Sequence, residues 1–392
     1  MISPRIGFNW DAKDDKTVQV RGGTGLFTGR LPFVWIGNQV SGADDGFLQL
    51  VDPEFQFPQV WRTNLGLDKR FENGIIGTLD VSYTKDLNAA HVQNWGLRNP
   101  TGTLNAPGDN RPTYTDADKG TNAYVFTNSD QGRVFNVSVK GQKTFSNGLY
   151  TMFAYSYLNA KDVNSIEAEI TGDAFDFNPN LGNANADVLG YSKYGDTHRF
   201  IGVLSKNFEY AQGKWNTTIS TFFEYAQGAR YNYTYAGNIN GDSSGQNNDL
   251  LYIPTVAEVG QMQFSGVGQA EAFETYIQQD DYLSENRGAY MERYGALAPW
   301  RGRWDLKLLQ DYKFNNDNKI QFSVDVLNLG NLINSNWGVV QQPNNISPIG
   351  VNVDATTNIP TYTFNPELTK TYGYDASLLS RWQAQFGLRY IF

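Results

Sequence analysis

The chain has 392 residues, a net charge of -9, 18% charged residues and no cysteine. That balance argues against a general nucleic-acid surface, and the missing thiols remove disulfides, cysteine nucleophiles and cysteine metal sites. No run of about 20 apolar residues exists to form a transmembrane helix, yet aromatics reach 14%, which suits a membrane interface as well as a carbohydrate-binding β-protein.

The opening MISPRIGFNW has neither a basic n-region nor an apolar h-region, so it does not read as a signal peptide. It reads as a strand met in its middle, with Ile2, Pro4, Ile6, Phe8 and Trp10 alternating against Ser3, Arg5, Gly7 and Asn9. A period of two marks a strand with one apolar and one polar face. The turn Asp11–Asp15 leads to a second strand, about Thr17 to Thr28, and then to a polar, glycine-rich loop over 29–54. The third strand, Gln59 to Phe71, sets Trp61, Leu65 and Leu67 against Arg62, Asn64, Asp68 and Arg70. Glu72-Asn73-Gly74 is a hairpin signal, because Asn-Gly accepts the positive φ of a tight turn.

The return strand carries Ile75, Leu79, Val81 and Tyr83 on its apolar side and leads to a loop over 86–130. Val134–Phe145, the turn Ser146-Asn147-Gly148 and the strand through Phe153 and Tyr157 repeat the unit, followed by a loop over 161–196. A strand to Phe208, a turn near Tyr210–Gly213 and a strand from Trp215 to Tyr225 precede a loop over 231–300. Trp304–Phe314, the turn Asn315–Asn318, Ile320–Val326, a loop over 329–379 and the terminal RWQAQFGLRYIF complete eleven strands.

Two regularities stand out. Short turns alternate with loops of 25 or more residues, the asymmetry of outer-membrane barrels. Strands entering a short turn end on Trp10, Phe71, Phe145, Phe208 and Phe314, and the chain ends on Phe392, which together read as an aromatic girdle. The expected fold is all-β, an antiparallel transmembrane β-barrel. Its first and last strands both run toward the short turns, so direct closure would pair parallel neighbours. Eleven is half of twenty-two, and the expectation is the C-terminal half of a 22-stranded plugged barrel, from a chain whose start was removed or which is a piece of something longer.

Ser323-Val324-Asp325-Val326-Leu327-Asn328-Leu329-Gly330-Asn331 resembles the penultimate-strand segment of TonB-dependent outer-membrane receptors, and Arg389-Tyr390-Ile391-Phe392 is similar to their closing strand. The opening Ile2–Phe8 and Asn247-Asn248-Asp249-Leu250-Leu251-Tyr252-Ile253-Pro254 resemble the Oar-like branch. The resemblance implies ligand uptake across the outer membrane of a Gram-negative bacterium, driven through TonB. The implied partners are a plug domain of the same parent chain, outer-membrane lipid and, in SusC-like members, a surface lipoprotein. The strand features also fit a passive porin or adhesin-type barrel. A soluble glycan-binding β-protein would need a second layer over the aromatic faces.

No catalytic constellation is present, so the chain does not read as an enzyme. His91 and His198 read as rim or loop residues, and Asp162/Glu167/Glu169 and Asp280/Asp281 as solvated carboxylates. Ligand contacts are assigned to the five long loops. Asn240, Asp242, Asn247 and Asp249 carry closely spaced oxygens suited to Ca²⁺, or to a cluster of Asx turns. Gly22, Gly23 and Gly25 lie in a strand and read as sites of close backbone approach. Arg5, Arg21, Arg62, Arg70, Arg133, Arg381 and Arg389 read as facing the lumen, where they would meet a plug or keep the pore wet.

Overall fold

The computed structural model describes residues 2–31, 48–165, 170–242, 244–315 and 318–392. Eleven long strands form one antiparallel sheet in chain order. They are β1 (Arg5–Asp11), β2 (Val18–Thr28), β3 (Gln59–Arg70), β4 (Ile76–Asp86), β5 (Arg133–Thr144) and β6 (Leu149–Asp162). They continue as β7 (His198–Tyr210), β8 (Trp215–Ala226), β9 (Arg301–Lys313), β10 (Lys319–Leu327) and β11 (Gln383–Ile391). Local chemistry sets this order. In the Asn-Gly turns after β3 and β5, Gly74 and Gly148 take φ of +83° and +81°, where a Cβ would be strained. Phe71 and Phe145 donate their amides across those turns to Ile75 and Leu149 at 2.8 and 2.7 Å.

The register gives the sheet two unlike faces. One row reads Trp10, Val20, Leu67, Leu79, Val139, Tyr155, Phe200 and Tyr225. The neighbouring row, on the other face, reads Asn9, Arg21, Gly66, Asp80, Ser138, Ser156 and Arg199. A slip of one residue would exchange them, so the hydrophobic pattern itself holds the register. Among the described residues no second layer covers the apolar face: Trp61, Phe153, Phe322 and Phe386 are 42%, 61%, 42% and 69% exposed. A water-soluble sheet protein would bury that face.

The glycines of β2 answer a steric need. A Cβ on Gly22 would stand 2.7 Å from the Phe8 ring, and one on Gly25 would stand 2.7 Å from the Pro4 carbonyl. These are close approaches, as the sequence suggested.

The long connections are not bare loops. Their segments build small sheets, among them Leu48–Val51 with Ala89–Asn94 and Ala123–Ser129, and Tyr235–Ala236 with Ile349–Val353 and Pro360–Phe364. A helix, Gln269–Gln279, buries Phe273, Tyr276 and Ile277 at i, i+3 and i+4. One core joins Leu104 to Tyr233, Tyr235, Phe273 and Ile277, and to Ile349, Tyr362 and Phe364. A second joins Leu31, Val92, Tyr124 and Phe126 to Phe175 and Ala184. The connections therefore fold together as one body at one end of the sheet. Sequence patterning missed these elements because each strand is only a few residues long and its burial comes from a different loop.

Candidate functional site

Charge on the polar face of the sheet is paired across strands. Arg21 bridges Asp68 and Asp80 at 3.2 and 2.5 Å, and Thr78 donates to Asp68 at 2.6 Å. Further along, Arg199 meets Glu224 at 2.6 Å, Lys307 meets Asp325 at 2.8 Å and Lys319 meets Asp311 at 2.8 Å. Arg62 donates to Thr84 at 3.0 Å, and the Arg5 guanidinium lies 4.2 Å from the Phe27 ring centroid. Arg70 and Arg389 occupy polar-face positions opposite Ile76 and Gln321. Arg381 borders a recess of about 310 Å³ with Glu224, Arg301 and Arg303.

Arg133 departs from this set. It stands opposite Lys85 and Lys161, on the face of Phe135, Val137 and Val139, so it belongs to the apolar side at the loop end. The period through Phe135, Val137 and Val139 places it there, and at the loop end a long cationic side chain can lie along the apolar face with its head beyond it.

All six girdle aromatics lie on the apolar face at the short-turn end, with exposures from 36% at Phe145 to 92% at Phe392. Ionisable groups on that face are one-sided. Apart from His198 and tyrosines, the strand positions there carry only Lys69, Lys85, Arg133, Lys143, Lys161 and Lys206. None carries a carboxylate.

In the loop body, Asp280 corrects the reading of a solvated carboxylate. It is 2% exposed, caps the helix Asp281–Glu285 through the Leu283 amide at 2.8 Å, and accepts from Tyr233 and Thr371 at 2.6 and 2.7 Å. Asp162 pairs with Arg293 at 2.6 Å; Glu167 and Glu169 lie outside the described residues. His91 is buried with neither ring nitrogen bonded, and burial together with Arg293 pushes its pKa down despite Asp187. His198 stays at the head of β7, 2.8 Å from the Tyr155 hydroxyl.

The Asn/Asp segment is drawn into the same body. Asn240 donates to Asn180, to the Gly182 carbonyl and to Asp242 at 3.0, 3.2 and 3.1 Å. Asp242 accepts from Asn238 and the Ser244 amide, and Asp249 from the Ile239 amide at 3.0 Å. Asn247 is spent on the Gly237 amide at 3.0 Å. The Ser244 bond to Asp242 is an Asx turn, and the Asn240 bonds to Asn180 and Gly182 tie the segment to more distant chain. Among the described residues no group of three or more His, Asp or Glu is gathered as a metal cage. Burial and Asp242 push the Asp249 carboxyl up to about 7, and the same causes push Asp176 up to about 6.

Arg111 is the anchor that the sequence did not reveal. It is 1% exposed, grips Asp109 at 2.7–3.0 Å, donates to the Leu250 carbonyl at 2.9 Å and faces Asp249 at 3.9 Å. Its guanidinium also lies 5.1 and 5.4 Å from the rings of Tyr235 and Tyr290. Asp109 is close in sequence, but nothing local hints at burial, because the Leu250 carbonyl that completes the site lies 139 residues away. Beside this core opens a cleft of about 490 Å³, bordered by Asp176 and Phe177, by Gln246, Asn247 and Asn248, and by Asn345 and Ser347. Three loops contribute amides, a carboxylate and an aromatic edge to it. The Asn248 amide is buried and unbonded.

A sheet with one uncovered apolar face, one ion-paired face, tight turns at one end and a folded loop body at the other defines the wall of a transmembrane β-barrel. The comparison with solved structures agrees. The chain is similar to the outer membrane transporter YddB from Escherichia coli, with a TM-score of 0.50 at 11% identity, over 99% of this chain and 40% of that one. BauA, the ferric preacinetobactin receptor of Acinetobacter baumannii, aligns over 100% of this chain and 36% of its own, with a TM-score of 0.44 and 12% identity. The chain thus spans about two fifths of the solved structures it matches. No protein-family model and no curated protein matches it.

Proposed function

We propose that this chain is the C-terminal half of the barrel of a TonB-dependent transporter in the outer membrane of a Gram-negative bacterium. On this reading the loop body captures a glycan, peptide or chelate outside the cell. The observation that carries it is the pairing of a lipid-ready face with a charged, hydrogen-bonded face on strands whose long connections fold into one clefted body. The two sheet edges support the larger barrel. Among the described residues β1 and β11 pair on one side only, and unpaired backbone groups are untenable in hydrocarbon; both strands also run toward the short turns, so an antiparallel closure needs further strands between them.

In this reading Arg5, Arg21, Arg62, Arg70, Arg381 and Arg389 look into the pore, where a plug of the same parent chain would sit. Binding energy gathered in the cleft is then coupled to plug movement by the energised TonB complex. A surface lipoprotein is the further partner of SusC-like members.

The test is uptake by cells that make the full-length protein. Accumulation of the ligand should stop when a protonophore collapses the membrane potential, and should stop again without TonB. Uptake indifferent to both would leave a passive porin-type barrel. Recovery of the protein in the aqueous fraction without detergent would end the membrane reading altogether.

A further inference from the structure

The apolar face carries its charge at two levels. Lys85, Arg133 and Lys161 stand at the loop end, and Lys69, Lys143 and Lys206 at the short-turn end. From Lys143 to Arg133 the strand rises roughly 34 Å at about 3.4 Å per residue, or about 24 Å of height at a tilt of about 45°. That is the thickness of an apolar band. Among the described residues the loop-end level holds an ion pair and the short-turn level holds none. At the loop end Lys85 donates to the Asp130 carbonyl and Lys161 pairs with Glu292 at 2.9 Å.

At the short-turn end a motif recurs: Lys69-Arg70-Phe71-Glu72-Asn73-Gly74, Lys143-Thr144-Phe145-Ser146-Asn147-Gly148 and Lys206-Asn207-Phe208. In each, the ammonium lies over the ring two residues on, at 4.8, 4.6 and 5.4 Å from its centroid. Lys143 leans against Gly74 of the neighbouring turn, and Lys206 donates to the Asn147 carbonyl of the next. No carboxylate pairs with any of the three among the described residues.

We propose that Lys69, Lys143 and Lys206, each backed by its phenylalanine, bind the phosphates of anionic phospholipids in the leaflet at the short-turn rim. The proposal rests on the membrane reading and adds a specific lipid partner to it. An ammonium at the edge of a hydrocarbon face cannot stay there uncompensated. Its stem lies along apolar surface and its head reaches the headgroup layer. The ring below fixes the head by cation–π attraction and keeps it from folding back. Three such heads on β3, β5 and β7, with no acidic neighbour on that face, present a positive ledge of fixed height. A phosphodiester with no balancing cation of its own complements it, whereas a choline headgroup brings a competing charge.

The experiment uses the full-length protein, purified in detergent and placed in nanodiscs of phosphatidylcholine alone or of phosphatidylcholine and phosphatidylglycerol in equal parts. Native mass spectrometry then counts the lipids retained on release. Phosphatidylglycerol should be retained in preference, with the preference falling roughly fivefold per lysine removed across K69Q, K143Q, K206Q and the triple variant. It should also weaken with added salt. The triple Lys→Arg variant should keep the preference, and F71L/F145L/F208L should reduce it while leaving the charge unchanged. If the triple variant does not assemble, the three single variants carry the same comparison. A preference unchanged by Lys→Gln, or absent from an embedded wild type, overturns the proposal and leaves the membrane reading standing. A protein that never enters the nanodisc overturns both.

Discussion

Replacing Arg111 by alanine should loosen the loop body without dissolving the sheet. The side chain gives three contacts of 2.7–3.0 Å to Asp109, one of 2.9 Å to the Leu250 carbonyl, and charge to Asp249 at 3.9 Å. Asp109 and Asp249 are 1% and 0% exposed, so neither can recover hydration in place. Breaking such a buried pair from one side costs about 3–5 kcal/mol, and two aromatic faces lose their cation as well. Each 1.36 kcal/mol is about tenfold, so amide protection at Leu250–Ile253 and around Tyr235 should fall by at least about a hundredfold. Hydrogen exchange with mass spectrometry on detergent-solubilised protein reads this directly, with β3–β5 peptides as the unchanged reference. Asp109→Asn combined with Arg111→Met should restore part of the protection, because the charge on Asp109 is then gone while Asp249 still lacks its cation. Protection within about threefold of wild type in Arg111→Ala would refute Arg111 as the tie between these loops.

The two faces of β6 give a paired test. Phe153→Arg, on the apolar face between the two charged levels, should cost up to about 2–4 kcal/mol of folding in lipid vesicles measured by urea titration, whereas Ser156→Arg on the polar face should cost far less. Phe273→Ala removes a fully buried ring from the larger loop core and should destabilise that body by about 3–5 kcal/mol in exchange experiments, leaving detergent-resistant barrel assembly intact. Gly66→Val should displace the Arg21 guanidinium from Asp80 and lower barrel stability without preventing assembly, since even a Cβ there would meet that guanidinium and stand 2.6 Å from Asp80. For pH, Asp176 and Asp249 have folded pKa values raised to about 6 and about 7. The folded loops bind more protons than the unfolded ones between the ordinary carboxylate range and those values. The contribution of these two carboxyls therefore falls as pH rises from about 4 to about 7, against that of His91, whose lowered pKa works the other way; Asp176→Asn should remove its share of the fall, and an unfolding midpoint with the same pH dependence in Asp176→Asn as in wild type would contradict the placement.

The eleven long strands were legible because their code is local. A period of two, an Asn-Gly turn and an aromatic before each short turn place Lys69-Arg70-Phe71-Glu72-Asn73-Gly74 on a strand end without reference to anything distant. The loop body was not legible, because its code is non-local. Tyr233 hydrogen-bonds Asp280 forty-seven residues on, and Tyr290 reaches Asp109 across 181 positions. Asp280 looks like half of a solvated acidic pair until the fold buries it. Arg133 takes the apolar face for the opposite reason: the period through Phe135, Val137 and Val139 puts it there, although its charge alone points to the polar side. The Asn240–Asp249 segment was legible as a concentration of side-chain oxygens, and the structure spends most of those oxygens on backbone and side-chain amides.

The span of these contacts has a consequence for how the molecule comes together. Each barrel hairpin can find its register from residues synthesised moments apart, so the sheet can grow strand by strand as the chain arrives. The core around Arg111 and Tyr362 needs sections delivered at the beginning, middle and end of the sequence. It cannot set before residue 364 arrives, and a chain stalled short of that point would present ten of the eleven long strands beneath unfinished, sticky outer segments, a ready target for quality-control proteases.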